Sequence, residues 1–339
     1  MQKNILIIGG TGLIGSTVYR ILKERNPNYN LFIGSRKKRN SDQVLCLDVS
    51  DFATLSVIAQ YSIDLIILCT NDQHNNVLHY AIANQLDYID ITKPTPDLKE
   101  AFSIAGKEKN VANKIVFSSG WMAGIVSGLL QDFKGINTVA LFVYYSISDK
   151  AGESSAHFMA ENVSKPFVRY KNNQPVTIKH FLDSEDYTFS FDVGKRRVYN
   201  FDVPDLFILN AIENVPNVSV KMTYSSRLVT RLLGLFQSLR LFNLLSLKNR
   251  RLIFSANGKG DKTIFEIIAK TSSETIKTTL KSDNGQSELT AFATVLHIEK
   301  ILNNPFPDGV YFSHQLYQPD EMKNALLTNK TIKINTFKN

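Results

Sequence analysis

The chain has 339 residues, of which 43% are hydrophobic, and it contains only two cysteines. Since a domain of about 150 residues is typical, this length predicts two domains with cores of their own and excludes disorder, collagen and a disulfide-built scaffold. The excess of basic over acidic residues, 39 − 31 = +8, fits a nucleic acid, an anionic membrane or a phosphorylated small ligand equally well.

The chain opens with a short apolar run, Ile5–Ile8, which Gly9 and Gly10 interrupt. A signal peptide needs a longer apolar region, so we expect a cytosolic protein. The cysteines, Cys46 and Cys69, lie in separate strand-like runs, where a free thiol behaves as a small buried hydrophobe.

A strand, a glycine-rich turn and a helix follow one another at the N-terminus. The strand covers Asn4–Ile8, and the turn reads Gly-Gly-Thr-Gly-Leu-Ile-Gly over residues 9–15. In a dinucleotide site, Gly10 permits the tight turn, Gly12 lets the backbone approach the pyrophosphate, and Gly15 lets the helix pack closely on the strand. The predicted phosphate-binding residues are Gly9, Gly10, Thr11, Gly12, Leu13 and Ile14.

The second strand, Asn30–Gly34, is followed by a basic run that extends to Arg39. NAD-specific sites usually hold the ribose with an acid here, whereas an arginine suits the 2′-phosphate of NADP. We therefore predict NADP rather than NAD, bound by Ser35 and Arg36 with support from Lys37. The alternative is a solvated basic turn or a localisation-like run.

Four further strands and a helix complete the first domain. The strands are predicted at 44–47, 65–68, 87–92 and 114–118, and the helix at 75–84. Because ligands bind at the carboxyl edge of such a sheet, the residues after the third and fourth strands are predicted to contact the cofactor. They are Asp48, Val49, Cys69, Thr70 and Asn71, of which Asp48 alternatively caps the following helix.

Several patches resemble the saccharopine dehydrogenase-like oxidoreductases. They are the glycine turn, Tyr-Ile-Asp-Ile-Thr at 88–92, Gly-Trp-Met-Ala-Gly-Ile at 120–125, Gly-Val at 309–310 and Gln-Pro-Asp-Glu at 318–321. The resemblance implies a Rossmann domain joined to an α+β substrate or dimerisation domain, a homodimer, and hydride transfer at a C–N or C–O bond of a small polar metabolite. The family's Gly-Glu after the threonine is replaced by Lys93-Pro94, and its proline by Ala123.

Cys-Thr-Asn-Asp-Gln-His at 69–74 and Thr-Lys-Pro at 92–94 are also similar to segments of glucose-fructose oxidoreductase-like enzymes. In that family the corresponding lysine lies beside the nicotinamide and the substrate. The similarity implies that Lys93 is the titratable residue to test first.

Hydride transfer requires one proton donor or electrostatic clamp, and the catalytic candidates are Lys93, Asp90 and His74. Beside a cationic nicotinamide the pKa of Lys93 is expected to fall, and Asp90 is placed to orient Lys93 or bind a substrate amine. The alternative roles are a surface lysine for Lys93, a turn or capping carboxylate for Asp90 and a polar helix cap for His74. Trp121, with Met122, is expected to wall the substrate pocket, or else Trp121 anchors a core.

From about residue 138 the pattern changes to alternating runs with turn residues such as Asn257-Gly258 and Ser272-Ser273 between them. They predict strands at 138–147, 176–180, 187–192, 218–224, 252–256, 263–271 and 275–281. The predicted fold is therefore α/β: an N-terminal Rossmann doubly wound parallel sheet, residues 1–120, with a second α+β domain on a mostly antiparallel sheet, 121–285. A helix near 286–302 is expected to return with the tail, 286–339, to the first domain.

The longest apolar stretch, Leu228–Leu247, contains Arg231 and Arg240, so a transmembrane helix is not predicted. Its spacing instead indicates an amphipathic helix, either packed on its own domain, in a dimer interface, or at a membrane surface. The apolar positions are Leu228, Leu232, Leu235, Phe236, Leu239 and Phe242, and the flanking cations are Arg227, Lys248, Arg250 and Arg251.

Other chemistries lack their signatures. The glycine turn lacks the Gly-Lys-Ser/Thr ending of a P-loop, the histidines and cysteines have no metal-ligand spacing, and no nucleic-acid module is recognisable. The sequence thus predicts an NADP-dependent oxidoreductase with a small-molecule substrate. The alternative, which the departures at Lys93-Pro94 and Ala123 keep open, is a catalytically silent NADP sensor or scaffold.

Overall fold

The computed structural model describes residues 2–37, 41–91, 93–108, 111–255, 258 and 260–338. Within these ranges the α-helices are α1 (Leu13–Arg25), α2 (Asn76–Ala83), α3 (Thr95–Lys107), α4 (Val126–Gly128), α5 (Glu153–Asn162), α6 (Asp205–Phe207), α7 (Arg227–Ser238), α8 (Leu247–Phe254), α9 (Gly285–Asn303) and α10 (Glu321–Leu327). Shorter or wider helical turns cover Phe52–Gln60, Trp121–Ile125, Ile208–Ile212, Leu241–Leu244 and Ser313–Leu316.

The strands described in the same ranges are β1 (Asn4–Ile8), β2 (Asn30–Ser35), β3 (Val44–Cys46), β4 (Leu65–Leu68), β5 (Asp87–Asp90), β6 (Lys114–Phe117), β7 (Thr138–Tyr145), β8 (Pro166–Lys171), β9 (Gln174–Lys179), β10 (Glu185–Phe189), β11 (Gly194–Asn200), β12 (Asn217–Tyr224), β13 (Thr263–Lys270), β14 (Thr275–Ser282), β15 (Gly309–Phe312) and β16 (Ile332–Lys338). They form two sheets.

The first sheet has the order β15-β6-β5-β4-β1-β2-β3, and its described pairs are parallel. Read from the other edge, its first six strands follow the order 3-2-1-4-5-6 of dinucleotide-binding sheets. Residues Ile5–Ile8 are at most 1% exposed, because a central parallel strand is covered on both faces. The predicted parallel Rossmann sheet is confirmed.

The second sheet has the order β10-β11-β12-β7-β13-β14-β16, with β8 and β9 attached to β12. β7 and β12 are parallel, whereas the other described pairs are antiparallel. Ser272 and Ser273 turn the chain between β13 and β14, as predicted. The mostly antiparallel second sheet is therefore confirmed.

Contacts divide the chain into two units, Met1–Ile125 with Ser287–Tyr317 and Val126–Gln286 with Gln318–Asn339. The expectation that residues 286–339 return as one piece to the first domain is wrong for their last part. β16 pairs with β14 from Ser282↔Ile332 to Ile276↔Lys338, so the tail completes the edge of the second sheet.

Two predicted elements in the second unit are wrong. The strand at 252–256 is helical up to Phe254, because the Ser246 hydroxyl caps α8 by accepting from the Asn249 N–H. Ala256, and Asn257 of the predicted turn, lie outside the described residues. The single helix over 228–247 is broken at Arg240, whose φ of 57° ends α7 before the turn at Leu241–Leu244.

Candidate functional site

The candidate site lies at the carboxyl ends of β1, β4, β5 and β6, which are neighbours in the parallel sheet. The described segments that follow these strands are residues 9–12, 69–75, 91, 93–94 and 118–121. From β1 the sheet continues to β2 and β3 on one side, and from β4 it continues to β5 and β6 on the other. The strand order therefore reverses between β1 and β4, and such sheets bind ligands at this switch point.

The glycine turn is shaped by three close approaches. Gly9 has a φ of +82°, and a Cβ on it would lie 3.1 Å from the Cys69 carbonyl. A Cβ on Gly10 would lie 3.0 Å from both Ile33 and the Ile7 carbonyl, and one on Gly15 would collide with the Gly9 carbonyl oxygen. The tight turn therefore belongs to Gly9 rather than Gly10, and Gly15 packs on the turn itself rather than on the strand.

Helix α1 begins directly after this turn. Its N-cap is Gly12, which offers no side chain to the first turn, and that turn carries no acid. The first N–H groups of a helix, here those of Leu13 and Ile14, have no partner within the helix. Beside the exposed residues Thr11 and Gly12, they form a cradle suited to a phosphate, while the Gly12 N–H donates to the Gly9 carbonyl at 2.9 Å.

The end of β2 carries the predicted 2′-phosphate residues. Arg36 and Lys37 are exposed, and the Lys37 N–H donates to the Ser35 hydroxyl at 3.2 Å. Lys38 and Arg39, the rest of the basic run, lie outside the described residues. The described part of this turn therefore presents two cations and no acid.

The β3 end approaches the same basic turn. Asp48 accepts from the N–H (3.0 Å) and hydroxyl (2.8 Å) of Ser50, and these bonds, with a smaller contribution from the Arg36 charge, hold the pKa of Asp48 below its usual value. The Val49 carbonyl accepts from the Asn76 amide at 2.8 Å. Asp48 thus shapes the turn before the helix at Phe52–Gln60, whose own N-cap is Asp51.

Asp90 and Lys93 form a buried ion pair beyond β5. Lys93 Nζ lies 3.3 Å from Asp90 Oδ2, and both side chains are at most 4% exposed. The Tyr88 hydroxyl donates to Asp90 at 3.0 Å, and Lys93 Nζ donates to the Asp72 carbonyl at 3.5 Å. Burial raises the pKa of Asp90, and the Lys93 charge opposes this shift. The pair joins the ends of β4 and β5 in a dry environment; Thr92 lies outside the described residues.

The segment after β4 differs in part from expectation. Asp72, not His74, caps α2, because its carboxylate accepts from the N–H groups of Asn76 (3.1 Å) and Val77 (2.8 Å). His74 is exposed in the preceding turn, Asn71 is exposed, and Cys69 and Thr70 are half-buried. Burial raises the pKa of the Cys69 thiol above its ordinary value, so Cys69 is a neutral group beside Gly9.

Trp121 and Met122 lie in a wide turn with an unusual backbone. Trp121 is 3% exposed and Met122 is half-buried. Ala123 has a φ of 62°, and a Cβ on Gly124 would lie 2.6 Å from the Ser118 carbonyl oxygen. The burial of Trp121 matches the alternative of a core anchor better than that of a pocket wall.

A buried polar cluster behind this turn was missed by the sequence analysis. The Ser119 hydroxyl lies 2.7 Å from His297 Nδ1, and the Ser313 hydroxyl donates to the Ser118 carbonyl at 2.6 Å. Burial lowers the pKa of His297 to about 3. No local motif could reveal this pair, since its members are 178 residues apart in the chain.

The chain was compared with family models, curated proteins and solved structures, and similarity was found to solved structures. No family model matches the chain, and no curated protein matches it. Two matched structures are a meso-dapdh mutant with DAP from Clostridium tetani (14% identity, 95% of this chain and 99% of that chain, TM-score 0.49) and C. glutamicum DAP dehydrogenase in complex with DAP (14%, 97% and 99%, 0.48). A third is aspartate dehydrogenase from Thermotoga maritima (13%, 91% and 100%, 0.42).

Proposed function

We propose that this chain is an NADP-dependent oxidoreductase of the saccharopine dehydrogenase-like type, which acts at a C–N or C–O bond of a small polar metabolite. The observation that carries the proposal is the glycine turn at the switch point of the 3-2-1-4-5-6 sheet. In the same proposal the chain works in the cytosol as a homodimer.

The glycine turn fits a dinucleotide on steric and electrostatic grounds. Side chains at Gly9 or Gly15 would fill the turn, and the uncapped start of α1 offers N–H donors and the positive end of a helix dipole. Gly9, Gly10, Thr11, Gly12, Leu13 and Ile14 would hold the pyrophosphate. The segment Cys69–Asn71 would lie beside the nicotinamide, which supplies or accepts the hydride when bound.

The end of β2 supports a preference for NADP. Arg36 and Lys37 are exposed cations where an NAD site carries an acid. In the proposal the Arg36 guanidinium binds the 2′-phosphate, with Ser35 and Lys37 beside it, because a planar fork of donors matches phosphate oxygens. Asp48 and Val49 would approach the adenosine from β3.

Lys93 is proposed as the group that holds a proton for the substrate. Asp90 orients the Lys93 side chain from 3.3 Å, and the Asp72 carbonyl fixes a second donor direction. A preorganised ammonium stabilises negative charge that develops on a substrate oxygen, and it does so best where water is excluded. His74 would act from the exposed turn, and the half-buried Met122 would contact the substrate while Trp121 supports this turn from the core.

The cofactor assignment is tested by titrating NADPH and NADH into wild type, Arg36→Ala and Lys23→Ala. Loss of a charge-assisted hydrogen bond predicts an NADPH affinity about ten-fold weaker in Arg36→Ala, with NADH binding unchanged. Lys23 is an exposed cation in the last turn of α1, so Lys23→Ala should behave as wild type. Equal losses for both cofactors, or none, would contradict the assignment.

The catalytic assignment is tested by NADPH oxidation against a panel of keto acids with amines. Lys93→Met should lower turnover by about a hundred-fold or more, the range of general acid catalysis, without changing NADPH affinity. Because this variant leaves Asp90 buried and unpaired, Asp90→Asn/Lys93→Met is the control for folding. It should restore stability and remain inactive.

One observation favours the second candidate, a catalytically silent NADP sensor. Lys93 is only 3% exposed and already paired, so the pair also suits a structural clamp. NADPH binding without turnover on any member of the panel would favour this candidate over the enzyme.

A further inference from the structure

An ordinary surface helix turns its apolar side toward its own domain, whereas helix α7 turns its more apolar side to the solvent. The side that faces its own unit carries Thr230, Leu233, Gly234 and Gln237. A Cβ on Gly234 would lie 2.7 Å from the Tyr199 ring, and the Gln237 amide donates to the Val163 carbonyl at 3.0 Å. One leucine, together with small and polar side chains, therefore holds α7 against the unit.

The opposite side of α7 is apolar and exposed. Leu228, Leu232, Leu235 and Leu239 recur at helical spacing and are between 42% and 67% exposed. Four more exposed apolar residues follow α7 in the chain, Leu244, Leu247, Leu252 and Ile253, and Leu244 is 81% exposed. We call these eight residues the leucine face. Such a concentration of exposed apolar side chains indicates an interaction site.

The chain segment that carries the leucine face has charges of one sign. Residues 227–255 contain no Asp or Glu, and their six cations are Arg227, Arg231, Arg240, Lys248, Arg250 and Arg251. An isologous contact with a second copy of the chain would bring these cations together and be opposed by repulsion. The charge therefore favours an anionic partner.

A basic cavity of about 540 Å³ adjoins the leucine face. Arg227 and Arg231 line it from α7, opposite Lys195 and Arg197 of β11. Asp186 is the one acid among the lining residues described, and it pairs with Lys195 at 3.1 Å and Arg197 at 3.5 Å. Each lining arginine of α7 directly precedes a residue of the leucine face, so the cavity and the apolar stripe share one helix.

We propose that the leucine face docks this protein on an anionic bilayer, with lipid phosphates entering the basic cavity. Among the described residues no helix is long and apolar enough to cross a membrane. Exposed leucines flanked by arginines are instead the features of a helix that lies in the interface, its apolar side among the acyl chains and its cations at the headgroups. The proposal does not depend on nucleotide binding.

Sedimentation of the full chain with vesicles tests the proposal. Vesicles of phosphatidylglycerol mixed with phosphatidylcholine should bind wild type at least about ten-fold more tightly than phosphatidylcholine alone, and high salt should reduce the difference. Leu235→Gln should weaken binding about five-fold or more, since it removes apolar area from the inserted side. Its matched control is Ile147→Gln, because Ile147 and Leu235 are both 50% exposed.

The variant Arg231→Gln tests the contribution of the basic cavity to membrane binding separately from that of the leucine face. It should reduce binding to the anionic vesicles by about five-fold and leave binding to phosphatidylcholine unchanged. Lys171→Gln removes one charge from an exposed position at the end of β8 and should have little effect. Equal losses for Leu235→Gln and Ile147→Gln would overturn the proposal. So would a concentration-dependent dimer that Leu235→Gln abolishes, in a protein that binds no vesicles.

Discussion

Helices α1 and α7, one in each unit, have similar lengths and a similar apolar periodicity, yet they present opposite sides to their units. α1 buries Val18, Ile21 and Leu22, and its exposed side carries arginines that pair with Glu288 and Glu299 of α9. α7 buries threonine, glycine, glutamine and a single leucine, Leu233, and exposes its other leucines. Periodicity thus predicts a helix and its two sides, but not which side faces inward.

The largest expected difference between these helices is in stability. Leu22→Ala should lower the free energy of unfolding by about 3 kcal/mol, because it leaves a cavity against the first sheet. Leu235→Ala should change it by less than about 0.5 kcal/mol, as expected for an exposed position. Urea unfolding of both variants measures the difference. Equal costs would show that the leucine face is buried in solution.

Each helix also has a glycine in close contact, and the contacts differ in kind. A Cβ on Gly15 would meet the backbone of Gly9, whereas one on Gly234 would meet the Tyr199 side chain. Because backbone yields less than the far end of a side-chain ring, Gly15→Ala should cost about 2 kcal/mol and Gly234→Ala about 1 kcal/mol. Gly15→Ala should also weaken NADPH binding.

Thermal unfolding and NADPH titration measure these effects. The control is Gly106→Ala in α3, where no atom lies within 4 Å of the added Cβ. It should be neutral or stabilising, since alanine favours helix over glycine. A Gly15→Ala variant as stable as this control would contradict the packing of the turn.

The dependence of stability on pH tests one buried histidine in each unit. Burial lowers the pKa of His297 in the first unit and of His180 in the second to about 3, from an ordinary value of 6.5. Between these values the unfolded chain binds protons that the folded chain does not. Stability should therefore fall as pH drops from 6.5 toward 3, by up to about 1.4 kcal/mol per pH unit for each histidine.

His180→Phe checks this slope. His180 lies against Phe167 and Phe201, with ring centroids 4.7 and 5.5 Å away, so phenylalanine suits the site. The variant should lose part of the acid sensitivity, whereas His79→Gln, at an exposed position, should not. An unchanged slope in His180→Phe would exclude His180 as a source of acid instability.

The first sheet was predictable because its signals are local. Each strand is a short apolar run, and the glycine turn has its own spacing, so β1, β2 and β4 lie where the sequence analysis predicted them. β11 was missed because most of its residues are polar or charged, so pairing with neighbouring strands rather than apolar alternation holds it in the sheet. β8 was missed because it begins with Pro166 and lacks regular apolar alternation.

The candidate site was predictable only where its residues are close in the chain. The Asp90–Lys93 proximity follows from spacing across the end of a strand, and the structure gives its partner atoms. The Ser119–His297 pair depends on how α9 packs against the segment that follows β6 and has no sequence signal. The cap at Asp72 had a weak sequence signal, because an acid just before a helix is a common cap. In the sequence analysis, His74 was considered for this role instead.

Hydrogen exchange measured with and without NADPH tests most directly whether the first unit binds the cofactor. The amides of residues 9–16 and of the β2 end should become protected, and those of the basic cavity, Lys195–Arg197 and Arg227–Arg231, should not change. Protection at the cavity without protection at the glycine turn would contradict the account, since it would place the nucleotide in the second unit.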